Sequence, residues 1–231
     1  MLTLKTPLEK GSKKLINAWA FYDWANSVYS LVISSAIFPI YFGVLFSDIN
    51  TISFFNYDIK NTAVISFVTA SAFLIVAFIS PILSGIADYI GNKKKFMKIF
   101  VYLGSTSCIG LYWFELETIY IGLLFYFLAL IGLWSSIVFY NSYLPDIAFP
   151  EQQDRVSARG YSFGYIGSVI LLLMNLAMVM QPDLFGIEGT SSEASMKAMK
   201  YSFISVGIWW VLFSQYSFYF LPKSNHEVRV T

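Results

Sequence analysis

The sequence is poor in the residues from which soluble enzymes are built. One cysteine, Cys108, and one histidine, His226, occur in 231 residues. A lone cysteine closes no intrachain disulfide, and inside an apolar run it reads as a small core filler. A lone histidine near the C-terminus leaves no Ser/His/Asp arrangement, and no metal-ligand cluster, P-loop or dinucleotide fingerprint is present. These absences argue against an enzyme and imply no metal and no cofactor. Charge is scarce as well, with Asp, Glu, Lys and Arg making up 13% of the chain, against about 25% in a soluble domain. The net charge is +1 and the bases cluster instead of forming a stripe, which implies no nucleic-acid partner. Residues 1–14 are polar and basic and lack the apolar region of a cleavable signal peptide.

Apolar residues fill the space that charge leaves, at 57% of the chain. Charge-free windows cover residues 24–47, 61–87, 99–114, 118–145, 160–182 and 201–222. A helix needs about 20 apolar residues to cross the hydrocarbon core, and five windows reach that length. The third is shorter and spans when Lys98 and Glu115 sit at opposite interfaces, the lysine stem snorkelling outward. The runs are continuous and do not alternate, which favours helices over a membrane barrel. The predicted fold is an all-α integral membrane protein, a six-transmembrane-helix bundle over residues 17–221. Its spans fall at 17–46, 61–88, 96–114, 118–143, 159–181 and 200–221, between terminal segments 1–16 and 222–231. The outer connections are residues 47–60, 115–117 and 181–200, the last rich in Gly, Ser and Glu and reading as flexible. No internal repeat stands out.

Lys and Arg placement sets the orientation. Lys5, Lys10, Lys13, Lys14, Lys93, Lys94, Lys95, Lys98, Arg155, Arg159, Lys223 and Arg229 fall on one side, and Lys60, Lys197 and Lys200 on the other. The positive-inside rule assigns the richer side, and with it both termini, to the cytoplasm.

Four places could carry chemistry. In the first span, Asp23, Asn26, Ser27, Ser30 and Ser34 recur at α-helical spacing. With a helix start near Asn17, Asp23 lies roughly 9 Å in at about 1.5 Å per residue. A carboxylate at that depth marks an ion or substrate path or a proton relay; the plainer reading is an interfacial group bonded to a neighbouring helix or a lysine. Between spans two and three, Gly85-x-x-Asp88-x-x-Gly91 precedes Lys93, Lys94 and Lys95. The glycines allow a tight turn and close helix approach, and Asp88 can cap or pair with a lysine. Between spans four and five, Asn141 precedes Pro145, which is expected to end the fourth helix, and Asp146, which is placed to cap or pair. Asp154, Arg155 and Arg159 then suit an i,i+4 network at a helix start. On the fifth span, Gly160, Gly164 and Gly167 form one face for close packing. Tyr161, Tyr165, Ser168 and Asn175 occupy the adjoining stripe, lining a cavity or anchoring at an interface.

The Gly85–Lys94 spacing resembles the signature loop of the major facilitator superfamily, which joins its second and third helices. Tyr89 stands where that family often has a base after the acid, and Lys93–Lys95 supply bases nearby. The segments from Trp19 to Ser27, Ala36 to Phe42, Tyr140 to Ala148 and Arg155 to Gly160 resemble one branch of it. That branch contains the fungal autophagy-related vacuolar amino-acid effluxers and their bacterial relatives. The resemblance implies transport of a small solute, such as an amino acid, by alternating access of two six-helix bundles about a midplane site. It also implies a bacterial cytoplasmic membrane, with membrane lipid and a solute, carried with protons, as partners. Asp23 is then the expected coupling residue, with Asn26 and Tyr22 as neighbours, and Gly85, Asp88, Gly91 and the lysines form a cytoplasmic latch. Members have about twelve helices, so six correspond to the N-terminal half. Three arrangements follow: pairing with a separate second half, a self-dimer, or a truncated product without activity. A non-transporting membrane scaffold or assembly protein is the alternative from another class.

Overall fold

The computed structural model describes residues 8–54 and 57–223, without the side chain of Phe54. His226, Lys5, Arg229 and most of the 222–231 segment lie outside the described residues. Helix dominates, as continuous apolar runs require in a medium that offers the backbone no other partners. The first span is unbroken over Lys13–Leu45 but changes pitch: α1 (Lys13–Val28) passes into a π-helical segment (Tyr29–Ile37) and then α2 (Phe38–Leu45). Pro39 gives the cause. It offers no N–H, and its ring crowds the carbonyl four residues earlier, at Ser35. The backbone widens ahead of it, so that the Phe38 amide reaches back to the Ile33 carbonyl. The helix also starts four residues before Asn17, which puts Asp23 about 15 Å from its first residue.

The outer connection 47–60 is a two-stranded antiparallel hairpin, β1 (Thr51–Phe54) with β2 (Tyr57–Lys60). The Tyr120 hydroxyl donates to the Ser53 carbonyl and pins it to the helix below. The remaining helices are α3 (Asn61–Ile90), α4 (Lys93–Gly110), α5 (Ile119–Ser142), the single turn α6 (Leu144–Ile147), α7 (Pro150–Met180) and α8 (Ser191–Phe220). Five spans are long and apolar enough to cross a membrane: Lys13–Leu45, Asn61–Ile90, Ile119–Ile147, Pro150–Met180 and Ser191–Phe220. The sixth member of the bundle, α4, is 18 residues with Lys93, Lys94, Lys95 and Lys98 in its first two turns. Lys98 Nζ lies 5.3 Å from the centre of the Phe218 ring.

Two expected loops are structured. The fourth helix ends at Ser142, ahead of Pro145 as expected, but a separate turn, α6, follows to Ile147 with Pro145 at its start, where a missing N–H costs nothing. The inner loop 144–158 is therefore mostly helix, since α7 starts at Pro150. The outer loop 181–200 is likewise structured. A 3-10 turn spans Pro182–Phe185, and α8 starts at Ser191 behind a capping box in which Thr190 and Glu193 bond each other's backbone N–H groups.

The six spans pack by one repeated rule. The first span lies on the fifth (α7) and sixth (α8), while the fourth (α5) lies on the second (α3) and third (α4); the third and sixth pack together. Exchanging spans 1–3 with 4–6 leaves this pattern unchanged, the arrangement expected of a diverged three-helix repeat. Glycines set the closest crossing, where a Cβ on Gly132 would strike the backbone of Gly104 in α4.

Candidate functional site

Asp23 sits where three helices meet. Its Oδ2 accepts the Tyr140 hydroxyl of α5 at 2.9 Å. Tyr140 is itself fixed by Trp19, whose ring stacks on it at 4.2 Å and 15° and whose Nε1 donates to its carbonyl at 2.9 Å. Across the interface, α7 presents its glycine face. A Cβ at Gly160 would occupy the place of Asp23 Oδ2, one at Gly164 that of the Ser27 hydroxyl, and one at Gly167 would lie 3.0 Å from the Trp24 ring. These glycines thus let α7 close onto the polar residues of α1.

The expected stripe on the first span divides. Asn26 is buried at 3% exposure and donates to the Tyr22 carbonyl at 2.9 Å. Tyr22 is wholly buried and donates to the Ser136 hydroxyl at 2.8 Å. Both face the bundle core yet stay beside Asp23: the Asn26 side chain also hydrogen-bonds the Asp23 carboxylate, and the Tyr22 ring lies 4.9 Å from that of Tyr140. Ser27 and Ser30 instead line a groove of about 260 Å³ between the first span and α7, together with Leu31, Ser35, Tyr161, Gly164, Tyr165 and Ser168. Ser35 enters because the π-helical turn brings residues five apart onto one face; its hydroxyl donates to the Ser30 carbonyl at 2.8 Å. An α-helical count from Asp23 reaches Ser34 and misses Ser35. Tyr161, Tyr165 and Ser168 take the cavity-lining reading of their stripe. Asn175 does not: it accepts the Ser205 hydroxyl of α8 at 2.9 Å.

At the end carrying most of the lysines, the second-to-third turn and the fourth-to-fifth connection are joined. Gly91 takes φ +66 and closes α3, its amide bonding the Asp88 carbonyl while the Asn92 amide bonds that of Ala87. Asn92 then caps α4 by accepting the Lys95 amide at 3.2 Å. This turn aims Lys93 across to Asp146 Oδ2 at 3.0 Å and the Ser142 carbonyl at 3.3 Å, with Asp88 Oδ1 at 3.6 Å. Lys94 has partners of its own. Gly85 has nothing within 4 Å of where a Cβ would sit, so its closeness to another helix is not made within the described residues. Asn141 is exposed on the last turn of α5. The Pro145 carbonyl accepts Lys10 Nζ at 2.6 Å. Among the described residues no ion pair joins Asp154, Arg155 and Arg159; the helix-start network is replaced by Arg159 stacked 5.5 Å from the centre of the Phe163 ring. Sequence reasoning missed Tyr140 and Trp19 as the residues that hold Asp23. Their presence in the segments that carry the family resemblance was the one available signal.

Residues 11–230 match the family model described as "Vacuole effluxer Atg22 like". The chain is 34% identical over 218 residues to YxiO of Bacillus subtilis strain 168, named an uncharacterized MFS-type transporter, covering 92% of this chain and 49% of that protein. It is 29% identical over 175 residues to an uncharacterized protein of Aquifex aeolicus strain VF5, covering 74% of this chain and 41% of that one. The chain spans about half the length of the curated relatives it matches. No solved structure matches it.

Proposed function

The chain belongs to the vacuole effluxer Atg22-like family, and we propose that it forms one six-helix bundle of an alternating-access transporter for a small polar solute such as an amino acid. The observation that carries this reading is the groove between the first span and α7, which gathers six hydroxyl side chains partway along two membrane-spanning helices. Lipid offers hydroxyls no partner, so those that the helix backbone leaves unmet suit water, solute or a second bundle. Asp23 lies one helical turn before Ser27 and is the coupling carboxylate, with Tyr140 as its partner. The Asp88–Lys93–Asp146 cluster is the cytoplasmic latch. Twelve of the fifteen Lys and Arg residues lie on the latch side, which supports cytoplasmic termini, and the bacterial sources of the two relatives support a bacterial cytoplasmic membrane.

The test is uptake of labelled amino acids into membrane vesicles from cells producing the chain together with a second six-helix bundle. An imposed pH gradient should drive uptake above that of vesicles lacking the chain, and Asp23→Asn should abolish the gradient's effect. Full gradient-driven uptake by the Asp23→Asn variant would remove the coupling role. No uptake above background for the unaltered chain would remove the transport reading.

A further inference from the structure

We propose that the groove between the first span and α7 binds the uncharged, hydroxyl- or carboxamide-bearing part of the solute and rejects carboxylates and ammonium groups. The inference rests on the reading of the chain as a transporter bundle and names the chemistry of that site. Six side chains supply its polar lining: Ser27, Ser30, Ser35, Ser168, Tyr161 and Tyr165. Every one is a hydroxyl, and no charged residue joins them. Asp23 is absent from the lining, since it faces Gly160 and is held by Tyr140.

A hydroxyl both donates and accepts, so a hydroxyl-lined wall matches groups that do the same: alcohols and carboxamides. A carboxylate or ammonium seated against it would give up part of its hydration for a wall that holds no counter-charge. Ser168 gives the groove an unmet demand. It is 2% exposed, and its Oγ is buried without a hydrogen-bond partner among the described residues. Of the nine buried side-chain polar atoms without a partner among the described residues, Ser168 Oγ is the one that lines this groove, where a ligand atom would meet its demand. Ser35 donates to the Ser30 carbonyl and keeps its oxygen lone pairs for a solute donor. Tyr161 and Tyr165, 65% and 71% exposed, add flat apolar faces with polar tips, suited to a solute that alternates C–H and O–H groups.

The probe is a cysteine at the groove, Ser35→Cys, in the intact chain in lipid nanodiscs, titrated with a small water-soluble thiol reagent. Cys108 is fully buried and does not compete. Solutes added are myo-inositol and malonamide as neutral groups, succinate as an anion and putrescine as a cation. The neutral solutes should slow labelling about threefold once two thirds of the sites are filled, while succinate and putrescine leave it unchanged. Adding Ser168→Ala should preserve the solute-free labelling rate and raise the neutral solute needed by about tenfold, the scale of one lost hydrogen bond. Equal or better protection by succinate or putrescine would overturn the proposal, as would failure of all four to protect. A thiol that never reacts, at position 35 or in a Ser30→Cys replacement, would also overturn it. Protection without vesicle uptake leaves the groove's chemistry standing and removes transport; uptake of solutes that give no protection does the reverse.

Discussion

Tyr140 donates its hydroxyl to Asp23 at 2.9 Å while Trp19 holds the tyrosine from its other face. The bond joins the fourth span to the first, and it satisfies a carboxylate about ten residues into a membrane helix. Hydrogen bonds to charged groups contribute roughly 1.5–3 kcal/mol. Tyr140→Phe keeps the stacked ring and removes only the donor, so thermal unfolding in nanodiscs should show a loss within that range. Asp23→Asn in the same background should recover part of it, because a neutral amide needs the donor less. Additive effects of the two substitutions would show that the residues are not coupled.

Two helical glycines differ in what surrounds them. Gly160 has no room for a Cβ, since Asp23 Oδ2 occupies the position, whereas a Cβ at Gly85 would meet nothing within 4 Å. Gly160→Ala is expected to push α7 and Asp23 apart at a cost of about 1–3 kcal/mol, as overpacking does. Gly85→Ala should leave the isolated chain as stable or more so, since alanine is favoured over glycine in a helix interior by up to about 1 kcal/mol. A harmful effect of Gly85→Ala should emerge only when a second bundle is present, read as a drop in uptake without a lower melting point of the chain itself. Equal melting of the Gly160→Ala variant and the unaltered chain would contradict the packing.

Helix number and type were legible because the signal is thermodynamic and local: long runs without charge have one way to satisfy their backbone in lipid. The exception is α4, whose four lysines fall within its first two turns and mask a core of Val101, Gly104 and Cys108. Helix starts before Asn17 and Arg159 were not legible, since a charge-based window stops at the first charged residue while the helix runs on into the headgroup zone. The site was legible in composition and misplaced in geometry. Serines on the first span were read at 3.6 residues per turn, and the π-helical stretch before Pro39 re-aims them, bringing in Ser35. Tyr22 and Asn26 stay beside Asp23 as expected, but their bonds to Ser136 and to the Tyr22 carbonyl hold both on the buried side of the helix, out of the groove. The three-helix repeat lies in which spans pack together, a pattern that survives after residue identities have diverged.

That division of faces predicts a split in water access. Ser30 lies exposed in the groove, and Asn26, one turn earlier, is 3% exposed. In otherwise unaltered chains in nanodiscs, Ser30→Cys should react with a membrane-impermeant thiol reagent at a rate near that of an exposed loop cysteine. Asn26→Cys should react at least about a hundredfold more slowly, since labelling then waits on local opening worth roughly 2.7 kcal/mol or more. Comparable rates at the two positions would mean that the water path runs through the bundle core and not along the α7 groove.

The two ends of the bundle are tied by ion pairs of different strength. Lys93 and Asp146 are both largely buried, with side-chain exposures of 14% and 15%, and stand 3.0 Å apart. At the other end Lys200 pairs with Glu115, whose side chain is 48% exposed, and Lys200 also lies 4.7 Å from the centre of the Tyr112 ring. Removing one member of a buried pair strands the other charge, which costs up to about 3–5 kcal/mol, while half-exposed pairs contribute about 1 kcal/mol or less. Lys93→Ala should therefore lower the unfolding midpoint several times more than Glu115→Ala. High salt should erase most of the Glu115→Ala effect and little of the Lys93→Ala effect, because screening acts on the half-exposed pair. Asp88→Asn should fall with the weak class, since Asp88 is 60% exposed and 3.6 Å from Lys93. On the proposed transporter reading, its loss leaves the fold intact and registers in uptake alone. A melting shift for Asp88→Asn as large as that for Lys93→Ala would make Asp88, and not Asp146, the residue that holds Lys93.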